Sequence, residues 1–266
     1  MCRFLAYLGE PILLDRLVTS PCHSLLHQSR HADEGKAELN GDGFGLGWYS
    51  EHPEPGLNRP GLFRDVRPAW SDENLRSICA LLRSPLFFAH VRAATGTPTS
   101  RTNCHPFAHG RHLFMHNGQV GDWDRVRRRV EALIPDELYA ARAGTTDSEA
   151  LFLAALARGL EHDPVPAILA TLAETQAAMA AVGATAPLRF TAAVSDGESL
   201  WAFRWASDGH PPSLYWRTDC FGLTIVSEPI DGLRDGWREV PRGAVLIGTA
   251  GLPVRIERFG ETMVPA

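Results

Sequence analysis

Cys2 directly follows the initiator methionine, and Arg3, Phe4 and an apolar run, Leu5-Ala6-Tyr7-Leu8, come after it. Methionine is trimmed when the next side chain is small, as a thiol is, and trimming would make Cys2 the first residue. It would then carry both a nucleophilic sulfur and a free α-amine. An α-amine titrates at about 7.7–8.0, so near neutral pH much of it is available as a base. Nucleophile and base on one residue form the N-terminal variant of activated nucleophilic catalysis. The competing reading is structural, because free cysteine is often a small buried apolar residue, here at the start of a strand.

Four further stretches favour chemistry. Ala89-His90-Val91-Arg92-Ala93-Ala94-Thr95 reads as a strand ending in an arginine, with a threonine close behind. Met115-His116-Asn117-Gly118 is another strand ending at Asn-Gly, and Thr145-Thr146-Asp147-Ser148-Glu149 opens a helix. The fourth stretch is Asn103-Cys104-His105-Pro106. Together with a trimmed Cys2, and in this order, they resemble the class II glutamine amidotransferases, which are N-terminal nucleophile hydrolases. The resemblance spans about residues 2–155. It implies a four-layer αββα sandwich of two mainly antiparallel sheets, an α+β fold, and the hydrolysis of a γ-glutamyl amide through a Cys2 thioester.

Each residue then has a task that its chemistry suits. A tetrahedral oxyanion needs preorganised donors. The Asn117 side-chain amide and the Gly118 backbone N–H can supply two, and glycine lets the backbone come close. For the dipeptide alone a hairpin turn is the default, and the two readings are compatible. The planar guanidinium of Arg92 suits a substrate α-carboxylate, to which the Thr95 hydroxyl could add a bond. Asp147 suits the α-ammonium, although a plain helix cap is its bland reading. His105 is read as a structural histidine shaping the wall of the substrate pocket, not as a proton-transfer group.

Two other patterns compete for attention. Asn40-Gly41-Asp42-Gly43-Phe44-Gly45-Leu46-Gly47 superficially looks like a dinucleotide fingerprint, yet it leads into a strand pattern and not a helix. It is read as a turn that lets the backbone pass near Cys2, with Asp42 as an orienting acceptor. His23, His27 and His31 recur every four residues and on a helix would share a face. With no adjacent carboxylate they are read as a polar, pocket-lining segment and not as a metal site.

The elements that must position these residues follow from periodicity. Short apolar or alternating runs predict strands at about 2–8, 44–49, 86–92, 112–116, 189–194, 199–205, 221–226 and 244–248. Helical patterns fall at about 72–83, 122–132, 146–160 and 164–182, the last opening with proline. The stretch 50–61, rich in proline and glycine, reads as a surface excursion. Strands at both ends with helices between them, and no linker, indicate one α+β domain over 1–266.

The 266 residues are 44% hydrophobic and 21% charged, ordinary values for a soluble protein. A net charge of −5 argues against a nucleic-acid surface. No apolar run approaches a membrane span, and no signal peptide is visible. Five widely spaced cysteines without a Cys-x-x-Cys pair suit a reduced cytoplasm. No cofactor is expected, and the partner is a small γ-glutamyl substrate. The start Met1-Cys2-Arg3 and the late Val226-Ser227-Glu228-Pro229 resemble the short amidotransferase branch that includes the γ-glutamyl hydrolase of ergothioneine synthesis. Within the family pattern Ala93 and Gly96 replace bulkier residues, which suggests room for a γ-glutamyl amide larger than glutamine. The alternatives are a glutaminase subunit passing ammonia to a separate synthase, and an inactive binding module. The oligomeric state is not legible.

Overall fold

A strand whose two faces are both covered carries apolar side chains on both, and most strands of this chain do so. The computed structural model of the protein describes residues 2–34, 39–52, 59–94, 96, 98–233 and 235–260. The chain begins with β1 (Arg3–Leu13), α1 (Asp15–Val18), α2 (Leu25–Gln28), β2 (Phe44–Trp48) and β3 (Gly61–Asp65). It continues through α3 (Glu73–Leu81), β4 (Arg83–Val91), β5 (Phe107–His109) and β6 (His112–Gln119). A helical stretch follows, with α4 (Trp123–Glu131), α5 (Asp136–Tyr139), α6 (Asp147–Ala157) and α7 (Pro164–Ala180). The chain closes with β7 (Arg189–Ser195), β8 (Ser199–Ala206), β9 (Tyr215–Thr218), β10 (Gly222–Val226), β11 (Arg238–Glu239), β12 (Ala244–Thr249) and β13 (Arg255–Arg258).

These strands form two antiparallel sheets. One has seven strands in the order β11-β9-β10-β1-β4-β2-β3, the other six in the order β13-β12-β8-β7-β6-β5. Three apolar clusters mark the layers. Phe4, Ala6 and Leu8 of β1 meet Leu113 and Met115 of β6 and Ala202 of β8 between the sheets. Leu5 and Tyr7, on the opposite face of β1, pack under α1, α2 and α3 through Leu17, Leu25 and Leu75. Phe114 of β6 and Phe190 of β7 pack under α4, α6 and α7 through Val126, Phe152 and Leu172. Helix, sheet, sheet, helix is the αββα sandwich implied by the motifs.

Local signals fix the helix starts. Thr146 caps α6 by accepting the Glu149 N–H at 3.2 Å, and the Glu149 carboxylate reaches back to the N–H groups of Ala143 and Gly144. Asp72 caps α3 through the Leu75 N–H at 2.7 Å. Pro164 opens α7 in the first turn, where its missing N–H costs nothing.

The eight predicted strands and four predicted helices are all present, with shifted ends. Strand β1 runs to Leu13, past Gly9 and Pro11, through a register irregularity between Leu8 and Ile12. Strands β3, β5, β9, β11 and β13 were not predicted from the sequence; each spans five residues or fewer, too short for a period to show. Of the expected excursion at 50–61, residues 53–58 lie outside the described residues, and Gly61 already belongs to β3. No helix among the described residues is long and apolar enough to cross a membrane. All five cysteines are free thiols.

Candidate active site

Side-chain alternation turns Cys2, Arg92 and Asn117 toward the gap between the sheets. Phe4, Ala6 and Leu8 face that gap, so Cys2, one alternation earlier, faces it too. On β4 the same parity runs through Leu86 and Phe88 to His90 and on to Arg92, just past the strand end. On β6 it runs through Leu113 and Met115 to Asn117. Because Arg3 pairs with Val91, Cys2 stands across from Arg92.

The Cys2 sulfur lies 3.6 Å from the Ala93 carbonyl oxygen. The next N–H, that of Ala94, donates to Asp42 Oδ2 at 2.7 Å. Asp42 thus fixes the loop that faces the nucleophile, the orienting part expected of the glycine-rich turn. Burial pushes the Cys2 thiol up, against smaller lowering effects from its bond to Ala93 and from the Arg92 and Arg3 cations. A thiol so placed needs a base before it can attack.

Arg92 is buried, and its guanidinium donates to the carbonyls of Asp42 at 3.2 Å and Pro98 at 3.3 Å. Its backbone pairs with Gly43 and Asp42, so the turn and the end of β4 hold each other. The glycines here have a steric reason. A Cβ on Gly45 would stand 2.1 Å from the His105 carbonyl oxygen, so β2 stays bare where the 103–107 segment crosses it.

Asn117 is 1% exposed, and its amide nitrogen has no partner among the described residues. An orphaned buried donor costs free energy unless a ligand or transition state meets it. Asn117 and Gly118 lie inside β6, paired with Thr191 and Phe190, and do not form the hairpin turn that the dipeptide suggested. Gly118 is required by proximity instead, since a Cβ would meet the Arg189 carbonyl oxygen at 2.0 Å. Tertiary pairing with β7 overrides the local turn preference.

Asp147 starts α6 and accepts the Val120 N–H at 2.8 Å and the Ser148 N–H at 2.8 Å. Its carboxylate therefore also ties the exit of β6 to the helix, while the cap itself is Thr146. His105 is 4% exposed, stacks on His90 with ring centroids 4.3 Å apart, and is kept neutral by burial, well below the ordinary histidine value. Thr95 lies outside the described residues.

Other polar groups, quoted in the sequence motifs without a role of their own, hold this arrangement. Asn103 bridges the Pro98 carbonyl and Thr145, joining the loop after Arg92 to the turn before Asp147. Arg3 donates to the Cys2 carbonyl at 3.3 Å and pairs with Glu228. An arginine embedded in the apolar run that opens β1 was the available signal, because a buried guanidinium requires a partner. His23 does meet carboxylates, contrary to the local view of the histidine repeat. They are Glu228 at 2.5 Å and Asp33 at 3.8 Å, and Glu228 comes from the far end of the chain. His27 and His31 follow in a tilted ring stack, though α2 covers only Leu25–Gln28.

A fold of two antiparallel sheets between helical layers, with a cysteine and an unpartnered asparagine amide at one end of the central gap, defines a family. The family model described as glutamine amidotransferases class-II matches residues 1–215. The chain belongs to the class II glutamine amidotransferases and is an amidohydrolase. A gamma-glutamyl-hercynylcysteine sulfoxide hydrolase of Mycolicibacterium smegmatis is 34% identical over 244 residues, covering 91% of this chain and 92% of that protein. The probable glutamine amidotransferase DUG3 of Saccharomyces cerevisiae is 42% identical over 171 residues, 62% of this chain. That alignment covers 48% of DUG3, about half its length. The solved structure of a glutamine aminotransferase class-II domain protein from Silicibacter pomeroyi superposes with a TM-score of 0.75. Identity there is 37%, with 97% of this chain and 99% of that one covered.

Proposed function

We propose that the protein, after removal of Met1, hydrolyses a γ-glutamyl amide through a thioester on Cys2. The observation that carries this is the buried, unpartnered Asn117 amide at the same end of the inter-sheet gap as Cys2. The freed α-amine takes the thiol proton, and sulfur attacks the γ-carbonyl. Asn117 Nδ2 and the Gly118 N–H donate to the oxyanion. Collapse breaks the C–N bond, and the proton returns to the leaving nitrogen. A water, deprotonated by the same amine, then cleaves the thioester to release glutamate. Arg92, Thr95 and Asp147 hold the α-carboxylate and α-ammonium, and His105 shapes the pocket wall.

The whole of 1–266 is read as one domain, supported by the pairing of β1 with β10, which joins both ends of the chain in one sheet. The substrate is read as a γ-glutamyl conjugate larger than glutamine. Ala93 is small, and a Cβ built on Gly96 meets nothing within 4 Å among the described residues, which is consistent with room in the loop after β4. The full-length relatives named as gamma-glutamyl-hercynylcysteine sulfoxide hydrolases support the same class. A cytoplasmic setting fits the free thiols.

The test is intact mass after a γ-diazoketone analogue of glutamine, together with turnover of glutamine and of a γ-glutamyl peptide. Wild type should gain one adduct and release amine from the peptide. Cys2→Ala should gain none and lose activity by orders of magnitude. Cys2→Ala with undiminished hydrolysis would sink the reading. Ammonia released from glutamine, with the peptide inert, would favour an ammonia-donating subunit serving a separate synthase.

A further inference from the structure

Glu228 lies just beyond β10 and is 2% exposed. Four nitrogens approach its two carboxylate oxygens. His23 Nε2 stands 2.5 Å and the Asp33 N–H 2.9 Å from Oε1. Arg3 Nε stands 2.9 Å and the Glu34 N–H 3.1 Å from Oε2. Arg3 is itself 0% exposed and donates from Nη1 to the carbonyl oxygen of Cys2 at 3.3 Å. The ligand atoms of His23, Asp33 and Glu228 lie within 4.8 Å of one another, a spacing that would also suit a metal ion. Oε1 of Glu228 already meets His23 and the Asp33 N–H, and Oε2 accepts the Glu34 N–H and lies in ion-pair contact with the Arg3 guanidinium cation. The cluster is therefore built around an anion and not a cation.

We propose that Glu228 and Arg3 are positioning residues for the nucleophile: Glu228 aims the Arg3 guanidinium, and Arg3 fixes the Cys2 carbonyl and hence the direction of the thiol. A residue at a chain end is held on one side only, so its freedom must be removed by bonds to its own backbone. Among the described residues, Cys2 is held by the Arg3 guanidinium on its carbonyl and by the bond of its thiol to Ala93. Burial by itself pushes the Glu228 carboxyl up, but the hydrogen bonds from His23, Asp33 and Glu34 and the charge of Arg3 outweigh it and keep it ionised. The same anion gathers the 33–34 loop and, through the Gln28 amide, which donates to the Glu228 carbonyl at 3.2 Å, the end of α2. Two segments far apart in sequence, 23–34 and the stretch after β10, thus converge on the residue next to the nucleophile.

This inference rests on the Cys2 reading above, and the experiment separates the two. In a Cys22→Ser, Cys220→Ser background, which removes the exposed thiols, Cys2 alkylation by iodoacetamide and γ-glutamyl hydrolysis are measured for Glu228→Gln. Activity is normalised to sites titrated by the γ-diazoketone, so a fraction of misfolded chains does not count. Glu228→Gln should lower kcat per titrated site and the alkylation rate by about tenfold or more, with KM changed less than about threefold. Arg3→Met should do the same, and the double variant should lose no more than the worse single, as expected of residues acting in series. Should Glu228→Gln fail to fold, His23→Gln removes one of the four nitrogens from a half-buried position and should lower kcat alone, by a few-fold. Unchanged per-site kcat and alkylation in the folded Glu228 variant, or in the His23 variant where it substitutes, would overturn the proposal. If instead Cys2→Ala in this background keeps full activity, the nucleophile assignment itself fails.

Discussion

Cys2 and Asp42 hold opposite sides of a single peptide unit, the one between Ala93 and Ala94: its carbonyl faces the Cys2 sulfur at 3.6 Å, and its N–H donates to Asp42 at 2.7 Å. The carboxylate thereby sets the orientation of the first polar group that the thiol meets. Asp42→Ala should cost one charge-assisted hydrogen bond, about 1.5–3 kcal/mol, or roughly ten- to more than a hundredfold in kcat/KM. Cys2 alkylation by iodoacetamide should change in parallel. An Asp42→Ala enzyme with wild-type kcat/KM would show that the peptide is held without it.

The mature, active protein is expected to lack Met1, which lies outside the described residues. While Cys2 nitrogen sits in a peptide bond it cannot act as a base, and burial disfavours spontaneous ionisation of the thiol. Intact mass of an active preparation decides this. A fully active sample that retained methionine would defeat the mechanism proposed.

Recognition and chemistry should separate. Arg92→Lys keeps the charge but loses the planar fork, and Asp147→Asn removes a negative charge while leaving an acceptor for the Val120 or Ser148 N–H. Each should lower kcat/KM on a γ-glutamyl substrate by about ten- to a hundredfold. On a simple acyl thioester lacking the amino-acid group both should approach wild type. Asn117→Ala should lose about a hundredfold in kcat on either substrate, because the oxyanion is common to both. Equal losses on both substrates for all three variants would mean that the roles are wrongly divided.

Acid should destabilise this fold partly through His90. Burial, helped by the Arg92 charge, lowers its pKa to about 3, whereas an unfolded histidine titrates near 6.5. A depressed folded value means that the unfolded chain binds the extra proton, so stability is lost as pH falls from about 6.5 towards 3. At pH 5 the expected loss is about 2 kcal/mol for this group. His90→Gln should flatten the fall of Tm between pH 7 and pH 4.5 relative to wild type, whatever its effect on Tm itself. Parallel Tm–pH curves for the two proteins would refute the assignment.

Much of the candidate site was legible because its residues follow apolar runs or open a helix. Arg92 and Asn117 are marked by the close of an apolar run, and Asp147 by a helix start with acidic residues. What periodicity could not show is long-range pairing. Asn117-Gly118 reads locally as a turn, yet β7 runs alongside and holds it extended. His23 shows no carboxylate in its neighbourhood of the sequence, yet Glu228 arrives from 205 residues away. Short edge strands such as β11, two residues long, carry too few side chains to have a period at all. The glycines of the stretch 40–47 are read from sequence as a turn near the nucleophile that leads into a strand. Their tighter reason, the passage of the His105 backbone over Gly45, is visible only once both segments are placed.

Strand β1 is flanked by β4 on one side and by β10 on the other, and Ser227, just after β10, bonds the Phe4 backbone in both directions. The order of synthesis gives this a meaning. The nucleophile leaves the ribosome among the first residues, but the strand that locks it in place is among the last to be translated. The contacts of Ser227 with the Phe4 backbone therefore cannot form until the chain has been made past that residue.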